Sequence, residues 1–342
     1  MLYALGVGEA LKAHSCEAAG KEIRIWDSGE SWKLFDLGRV SVERWGFPYF
    51  TVYRPDLLSV LVDAVGRHRI RLGSRVTGFA QSAHGVTVHT ETQSHQGDGL
   101  VGADGVHSTV RQALFGADNP HFTGIVAWRG IVPRERLPAH MARMVGVNWV
   151  GPGGHVVHYP LGGGSVMNFV GALERADWRV ESWSARGTPE ELAADFAGWH
   201  EDVQALIRGI PAPHKWALMV RPPMPRWSVG RVTLLGDACH SMVPFLAQGA
   251  VMAIEDGYVL ARALAGGGDV ASGLAKYEQA RRERTTRAVE GSAANIARFH
   301  HRALADPQKA REYVEREWAG ANVAQRYEWL FTYDATAVSL GS

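Results

Sequence analysis

The chain has 342 residues, 46% apolar and 21% charged, proportions that exclude a disordered tract or a fibre. Thirty-six Lys and Arg against 35 Asp and Glu leave a formal net charge of +1, without the basic excess of a general nucleic-acid binder. Two cysteines, Cys16 and Cys239, are too few for a disulfide framework or a Cys-rich zinc site, and no apolar run nears the roughly 18 residues of a membrane span. With no signal-peptide pattern at the N-terminus, the expectation is a cytoplasmic protein with no nucleic-acid partner, no membrane association and no metal site. Twelve Trp favour broad aromatic-lined surfaces.

Three zones follow one another. In residues 1–116, Glu22–Trp26, Lys33–Leu37 and Tyr49–Tyr53 read as short strands. Asp56–His68 carries Leu57, Leu58, Leu61, Val62 and Val65 at helical spacing. Arg75–Ala80 and Val86–Thr92 form a plausible hairpin, and Leu100–Ala103 is a short apolar run ending at Asp104. Residues 117–230 are β-rich, with candidate strands Ile125–Val132, Val145–Val150, His155–Tyr159 and Val166–Leu173. One helix interrupts them, because Thr188-Pro189-Glu190-Glu191 is a capping box leading into Leu192–Trp199. The third zone opens with a buried-strand pattern, Arg231–Leu235, then a helix from about Gln248 to Ala265, and is helical from Ala271 onward. A strand in the third zone that rejoins the first implies a discontinuous α/β protein. The expected units are 1–116 with 231–302, a β-rich insertion at 117–230, and a helical tail at 303–342.

Gly6-Val7-Gly8-Glu9-Ala10-Leu11 invites a dinucleotide reading, with Asp27 about 20 residues on. Leu11 stands where Gly or Ala lets helix and strand pack closely, and Met1–Leu5 is only a strand fragment. Burial of Leu2, Leu5, Val7 and Leu11 in a helical core accounts for the segment more simply. A dehydrogenase built on it would leave the Gly-Asp stretch at Gly236-Asp237 unexplained.

The stronger motifs are Gly102–Arg111 (GADGVHSTVR) and Leu234–His240 (LLGDACH). Each sets an Asp just after an apolar run and just before a helical segment, a common place to hold a cofactor at the end of a sheet strand. Asp237 suits a sugar-like hydroxyl, and the helix opening after Gly249 offers free amides. The competing reading makes both Asp residues turn or N-cap residues only. Two such elements in one chain favour the shared site.

With these motifs the sequence resembles the flavin-dependent aromatic hydroxylases of the para-hydroxybenzoate hydroxylase fold, in the branch of salicylate, 3-hydroxybenzoate and 6-hydroxynicotinate hydroxylases. The resemblance spans nearly the whole chain. It rests on Gly236–Gly257 above all, with Pro48–Leu57, the GADGVHSTVR segment, Trp128-Arg129-Gly130, His158–Leu161 and Trp329–Asp334. It implies a Rossmann-like FAD-binding domain with an inserted substrate sheet, FAD as cofactor, and NADH or NADPH as co-substrate. The implied reaction is hydroxylation of a small aromatic acid or phenol with O2 through a flavin hydroperoxide. Residue by residue, it implies Arg54 at the FAD phosphates or ribityl chain and Asp104 in the loop near the pyrophosphate. Gly236 and Asp237 would serve the ribityl hydroxyls, Pro244 the loop at the reactive face, and Gly249 and Ala250 the pyrimidine edge. His155 and Tyr159, on one side of a strand, become the catalytic candidates that orient or deprotonate a ring hydroxyl. Their alternative is an ordinary sheet face with one satisfied His. Arg129 is a candidate cation for a carboxylate, and His240 is read as packing near the flavin rather than a metal ligand.

Tyr53 stands where the family has His, and Ser241 where it has Pro. Relatives carry a strand–GxGxxG–helix–strand unit ahead of the point where this sequence starts, so weak or absent FAD binding is expected of the chain as given. A non-catalytic remnant, or a reductase or halogenase-like enzyme of the same fold, are the alternative functions. A homodimer is the expectation for assembly.

Overall fold

The computed structural model describes residues 1–175 and 186–341. A short helix α1 (Gly8–Ala13) leads into β1 (Ser15–Glu17), β2 (Gly20–Ile25) and β3 (Ser31–Asp36). Met1–Leu5 forms turns rather than a strand, and Gly6 sits in a turn with φ 75°, so the dinucleotide reading of this segment is not supported. Helix α2 (Arg39–Trp45), β4 (Phe50–Val52) and α3 (Arg54–Val65) follow, then a three-stranded meander of β5 (Val76–Gln81), β6 (Val86–Thr90) and β7 (Ser94–Gly97). The helical pattern that runs to His68 in sequence stops at Val65. Gly66, with φ 85°, ends the helix there.

Strand β8 (Leu100–Gly102) and helix α4 (Thr109–Phe115) close the first zone. The second zone supplies β9 (His121–Pro133), β10 (Val145–Gly151), β11 (Gly154–Leu161) and β12 (Val166–Glu174). Beyond them lie α5 (Pro189–Asp195), α6 (Glu201–Gly209) and β13 (His214–Val220). The capping box forms as the sequence requires: Thr188 Oγ1 accepts from the Glu191 N–H and the Glu191 carboxylate accepts from the Thr188 N–H, both at 3.1 Å. The strands build a seven-stranded sheet in the order β13-β9-β12-β11-β10-β2-β3. β2 and β3 come from the first zone, and β2 runs parallel to β10 with Ile23 opposite Asn148. Burial of Ile23 and Ile25 explains why they join it.

Strand β14 (Val232–Leu234) pairs parallel with β8, which brings the third zone back to the first. Helices α7 (Asp237–His240), α8 (Gly249–Ala265), α9 (Val270–Phe299), α10 (Pro307–Glu317) and α11 (Gly320–Phe331) complete the chain. No helix among the described residues is long and apolar enough to cross a membrane.

The large sheet is packed on both sides, so each face carries buried apolar side chains. One face sets Trp128, Trp149, Val156 and Phe169 against Leu192 and Phe196 of the α5 region and Val203 and Leu206 of α6. The other sets Ile23, Ile125 and Trp216 against Phe245, Phe299, Trp318 and Tyr327 from the C-terminal helices. A third core surrounds β8 and β14, where Val232 and Leu234 meet Val259 and Leu260 of α8 and Leu274 and Tyr277 of α9.

Within that third core, Asp256 of α8 is fully buried. Its Oδ2 accepts from the Gly236 N–H at 3.1 Å and faces His240 Nε2 at 2.6 Å, and its Oδ1 accepts from Arg281 Nε at 2.7 Å. Burial pushes this carboxyl's pKa up, but the His240 hydrogen bond and the charges of His240 and Arg281 outweigh burial and hold it below its ordinary 3.8. A depressed pKa gives stability that is complete above the ordinary value and lost as pH falls through the folded one.

Two stability measurements follow. Asp256→Asn should lower unfolding free energy at pH 7 by about 1–3 kcal/mol, since it removes the charged acceptor shared by Gly236, His240 and Arg281 and leaves Arg281 paired with Glu255 alone. The gap to the parent should narrow in acid, where the parent carboxyl also protonates; a gap of equal size at both pH values in urea melts would contradict the assignment. A Cβ added at Gly171 would lie 2.4 Å from the buried Phe196 ring. Gly171→Ala should therefore cost about 1–3 kcal/mol by overpacking, and an unchanged melting temperature would refute that.

Candidate functional site

The parallel pairing of β8 and β14 matches Leu100 to Val232 and Gly102 to Leu234. The two Asp motifs therefore leave neighbouring strands at the same, C-terminal end, where ligands gather in open α/β sheets. Arg111, from the first motif, locks them together. Its buried guanidinium donates to Ala238 C=O at 2.9 Å in the second motif, to Val106 C=O at 2.7 Å, and to Asp118 at 3.2 Å. Asp104 is committed to α4: Oδ1 accepts from Ser108 Oγ at 2.5 Å and Oδ2 from the N–H groups of Thr109 and Val110 at 2.8 and 3.2 Å. It thus shapes the loop through its own hydrogen bonds, as a residue at a helix N-terminus does.

Gly236 turns the chain with φ 63° and ψ −137°, and a Cβ there would stand 3.1 Å from the Ala253 methyl. Asp237 follows, with an exposed side chain. Past α7, Pro244 opens a single 3-10 turn through Leu246. Ala247 then takes the left-handed conformation, φ 55°, alone among the described non-glycine residues. Gln248 precedes α8 without capping it through its side chain. The first intrahelical bond of α8 runs from Met252 N–H to Gln248 C=O at 2.8 Å, so the amides of Gly249 and Ala250 have no intrahelical acceptor. A Cβ on Gly249 would lie 4.0 Å from Asp237 Oδ1, which sets that carboxylate beside the helix start. An exposed carboxylate accepts from hydroxyls, and free amides donate to carbonyl oxygens. That donor set fits the ribityl chain and pyrimidine edge of a flavin. Arg54 lies exposed at the first turn of α3, with no ion-pair partner among the described residues.

On β11, the alternation of a strand sets His155, Val157 and Tyr159 on one face. Register adds Asn148 opposite Val157, Asn168 opposite Tyr159, and Arg129 opposite Val170. Burial raises the pKa of the Tyr159 phenol, and the nearby Arg129 charge opposes that rise. The Tyr49 phenol is raised too, by burial and then by Tyr159 beside it. Asn148 Oδ1 and Asn168 Nδ2 are buried without a hydrogen-bond partner. Such orphaned amide atoms are costly in a finished core and ordinary in a site awaiting a ligand. Lys21 of β2, on this face opposite Gly146, has its ammonium pushed down to about 8 by burial.

His155 sits in drier surroundings than Tyr159. It is fully buried, with the Phe245 and Phe299 rings 4.6 and 5.0 Å from its centroid. Its Nδ1 lies 2.7 Å from His300 Nε2, its Nε2 has no partner, and burial above all lowers its pKa well below the usual 6.5. The two catalytic candidates thus share a face without sharing a hydrogen bond. His240 makes the Asp256 contact already described. Cys239, His240 and Asp256 bring ligand-type atoms within 4.8 Å of one another, but that carboxylate is already engaged by three donors, and burial holds Cys239 as the thiol.

Sequence reasoning passed over Tyr49, Arg111, Asn148, Asn168, Asp256 and His300. A signal existed for the two asparagines, each the one amide side chain within an apolar run (VGVNWVG and VMNFVGAL). Asp256 and Arg111 carried none, since their partners lie far away in sequence.

The FAD binding domain family matches residues 1–292. The chain is 37% identical over 341 residues to a 3-amino-4-hydroxybenzoate 2-monooxygenase of Streptomyces platensis, covering 99% of this chain and 85% of that one. A 6-hydroxynicotinate 3-monooxygenase of Bordetella bronchiseptica is 33% identical, with 93% and 78% covered. A 3-hydroxybenzoate 6-hydroxylase of Klebsiella oxytoca is also 33% identical, with 96% and 83% covered. Among solved structures, a salicylate hydroxylase in complex with its substrate superposes with a TM-score of 0.82 at 25% identity, over 98% of this chain and 86% of that one. The HpxO protein of Klebsiella pneumoniae, complexed with FAD and uric acid, gives 0.80 at 28% identity over 94% and 84%. Motifs, fold and relatives agree, and the chain belongs to the FAD binding domain family, as an FAD-dependent aromatic monooxygenase.

Proposed function

We propose that this monooxygenase hydroxylates a small aromatic ring that already bears a hydroxyl group and an anionic or polar substituent, using O2 and NADH or NADPH. The observation that carries the proposal is the pair of orphaned amide atoms, Asn148 Oδ1 and Asn168 Nδ2, on the sheet face that holds Tyr159. Asn168 Nδ2 donates to a ring substituent's oxygen, and Asn148 Oδ1 accepts from a hydroxyl or amino group. The names of the relatives fit this chemistry: hydroxybenzoates, an aminohydroxybenzoate and a hydroxynicotinate. Arg129 and Lys21, the cations of this face, balance a substrate carboxylate.

FAD supplies the redox and oxygen chemistry when bound. The chain's own residues bind and orient. Asp237 accepts from ribityl hydroxyls, the Gly249 and Ala250 amides donate to the pyrimidine edge, and the Gly236 turn lets the backbone approach closely. Arg54 offers the phosphates a free cation, Asp104 holds α4 and its loop in place, and Pro244 stiffens the turn ahead of Phe245. Phe245 and Val243, both buried, wall off water on the His155 side. His155 takes the ring hydroxyl's proton at Nε2, and Tyr159 orients the ring through its phenol. Burial favours the neutral imidazole, the form able to act as base at neutral pH.

The direct test is absorbance titration of the purified chain with FAD, then NAD(P)H oxidation with 3-hydroxybenzoate, 6-hydroxynicotinate and 3-amino-4-hydroxybenzoate. A shifted flavin spectrum and a product heavier by one oxygen support the proposal. In protein that has taken up FAD, oxidation that yields only hydrogen peroxide with every ring, or none at all, refutes it. Asp237→Ala should weaken FAD binding by about tenfold or more, the loss expected for charge-assisted hydrogen bonds. Tyr159→Phe should lower kcat/KM by about tenfold while leaving the flavin spectrum unchanged; an unchanged kcat/KM would remove Tyr159 from the site.

A further inference from the structure

We propose that Glu174 and His300 form a proton path that sets His155 as a base and connects it to solvent. The inference rests on the reading of His155 as the group that deprotonates the ring hydroxyl. The geometry is a chain of three side chains from three elements. Glu174 ends β12, and its side chain is 56% exposed to water. Its Oε1 lies 3.2 Å from His300 Nδ1, at the residue that follows α9. His300 Nε2 lies 2.7 Å from His155 Nδ1. Both imidazoles are buried, and the far nitrogen, His155 Nε2, has no partner.

Hydrogen-bond direction follows from the one fixed acceptor. An ionised carboxylate can only accept, so His300 Nδ1 carries the proton it donates to Glu174. A neutral imidazole has one N–H, which leaves His300 Nε2 as an acceptor. His155 Nδ1–H then donates to it, and His155 Nε2 is left with its lone pair. The exposed carboxylate thus selects the tautomer of two rings in series, as carboxylates behind catalytic and metal-bound histidines do. Burial favours the neutral form of both rings. The charged groups facing the pair are Lys21 of β2, which opposes protonation of His155, and Glu174, which favours protonation of His300.

Protons balance along this path. The ring O–H bond breaks and its proton goes to His155 Nε2. His155 gives its Nδ1 proton to His300 Nε2, His300 gives its Nδ1 proton to Glu174, and Glu174 releases it to water. The substrate is left as the phenolate. Reverse transfer to the product hydroxyl restores both starting tautomers before release. Glu174 and His300 act through His155 and are positioning residues.

Two measurements test the path. In the 15N spectrum of histidine-labelled protein, His155 Nε2 should show the shift of an unprotonated nitrogen, and Glu174→Gln should move it toward the protonated one. A protonated His155 Nε2 in the parent protein overturns the proposal. The second uses 3-hydroxy-4-nitrobenzoate, whose phenolate is coloured, mixed rapidly with the protein. Glu174→Gln and His300→Ala should slow phenolate formation about tenfold or more. They should leave the affinity for the probe within twofold, and added imidazole should restore the rate of His300→Ala. If His155→Asn blocks phenolate formation while the other two variants match the parent rate, the path alone falls. If His155→Asn also matches the parent, the base reading falls first and takes the path with it. Glu174 is at the surface, so its substitution tests the path even where a cavity at His300 unfolds the chain.

Discussion

The arrangement of the cofactor-side turns depends on one carboxylate withdrawn from water. Asp256 accepts from a backbone amide in the Gly236 turn, from His240 in α7 and from Arg281 in α9. A lone buried carboxylate would be strongly disfavoured, and three convergent donors, two of them able to carry charge, reverse the balance. The donors belong to separate segments, so the carboxylate is satisfied only when the turn, both helices and α8 have all docked. The same tie extends outward. Arg281 also donates to the Tyr333 hydroxyl at 2.9 Å, and Arg284 pairs with Glu255 while stacking 3.8 Å over the Tyr333 ring. The exposed Asp237 carboxylate takes its direction from this buried one, nineteen positions further along the chain.

The seven-stranded sheet does two different jobs with one set of strands. Toward α5 and α6 it presents Trp128, Trp149 and Phe169, large rings packed to exclusion. Toward the C-terminal helices it is apolar near Phe299 and Trp318, but turns polar along Asn148, Asn168, Tyr159 and Arg129. Strand alternation permits this, because each residue's face is fixed by parity and not by neighbourhood. Polar groups can thus be gathered on one side of a sheet without loosening the packing of the other.

Much of the scaffold was readable from residues alone. Apolar runs ending in Asp marked the two motifs, the Thr188–Glu191 spacing marked a helix start, and the four strands expected in the β-rich zone fell within a few residues of their final ends, while β13 and α6 of the same zone were not anticipated. The membership of β2 and β3 in the large sheet was not readable, because Ile23 and Ile25 declare burial without naming a partner. Glu255-Asp256 offers the instructive failure. Two adjacent carboxylates in a helix ordinarily mean a solvated face, and only the return of α9 with Arg281 and Arg284 makes them interior. His155 and Tyr159 could be assigned to one face by parity, but parity says nothing of what lies above that face. The walls of Phe245 and Phe299 and the link to His300 come from segments 90 to 145 residues further along the chain.

Ala247 places a mechanical load on the loop between Pro244 and α8. A left-handed backbone costs an L-residue roughly 1–2 kcal/mol, and no glycine stands there to relieve it. The conformation is held from outside, by Ser292 Oγ donating to Val243 C=O at 2.5 Å and Asn295 Nδ2 donating to Phe245 C=O at 2.9 Å. The segment carrying Phe245 over His155 is therefore a strained turn held at both levels, by the Ala247 N–H bond to Pro244 C=O at 3.1 Å within the loop and by the two α9 side chains outside it.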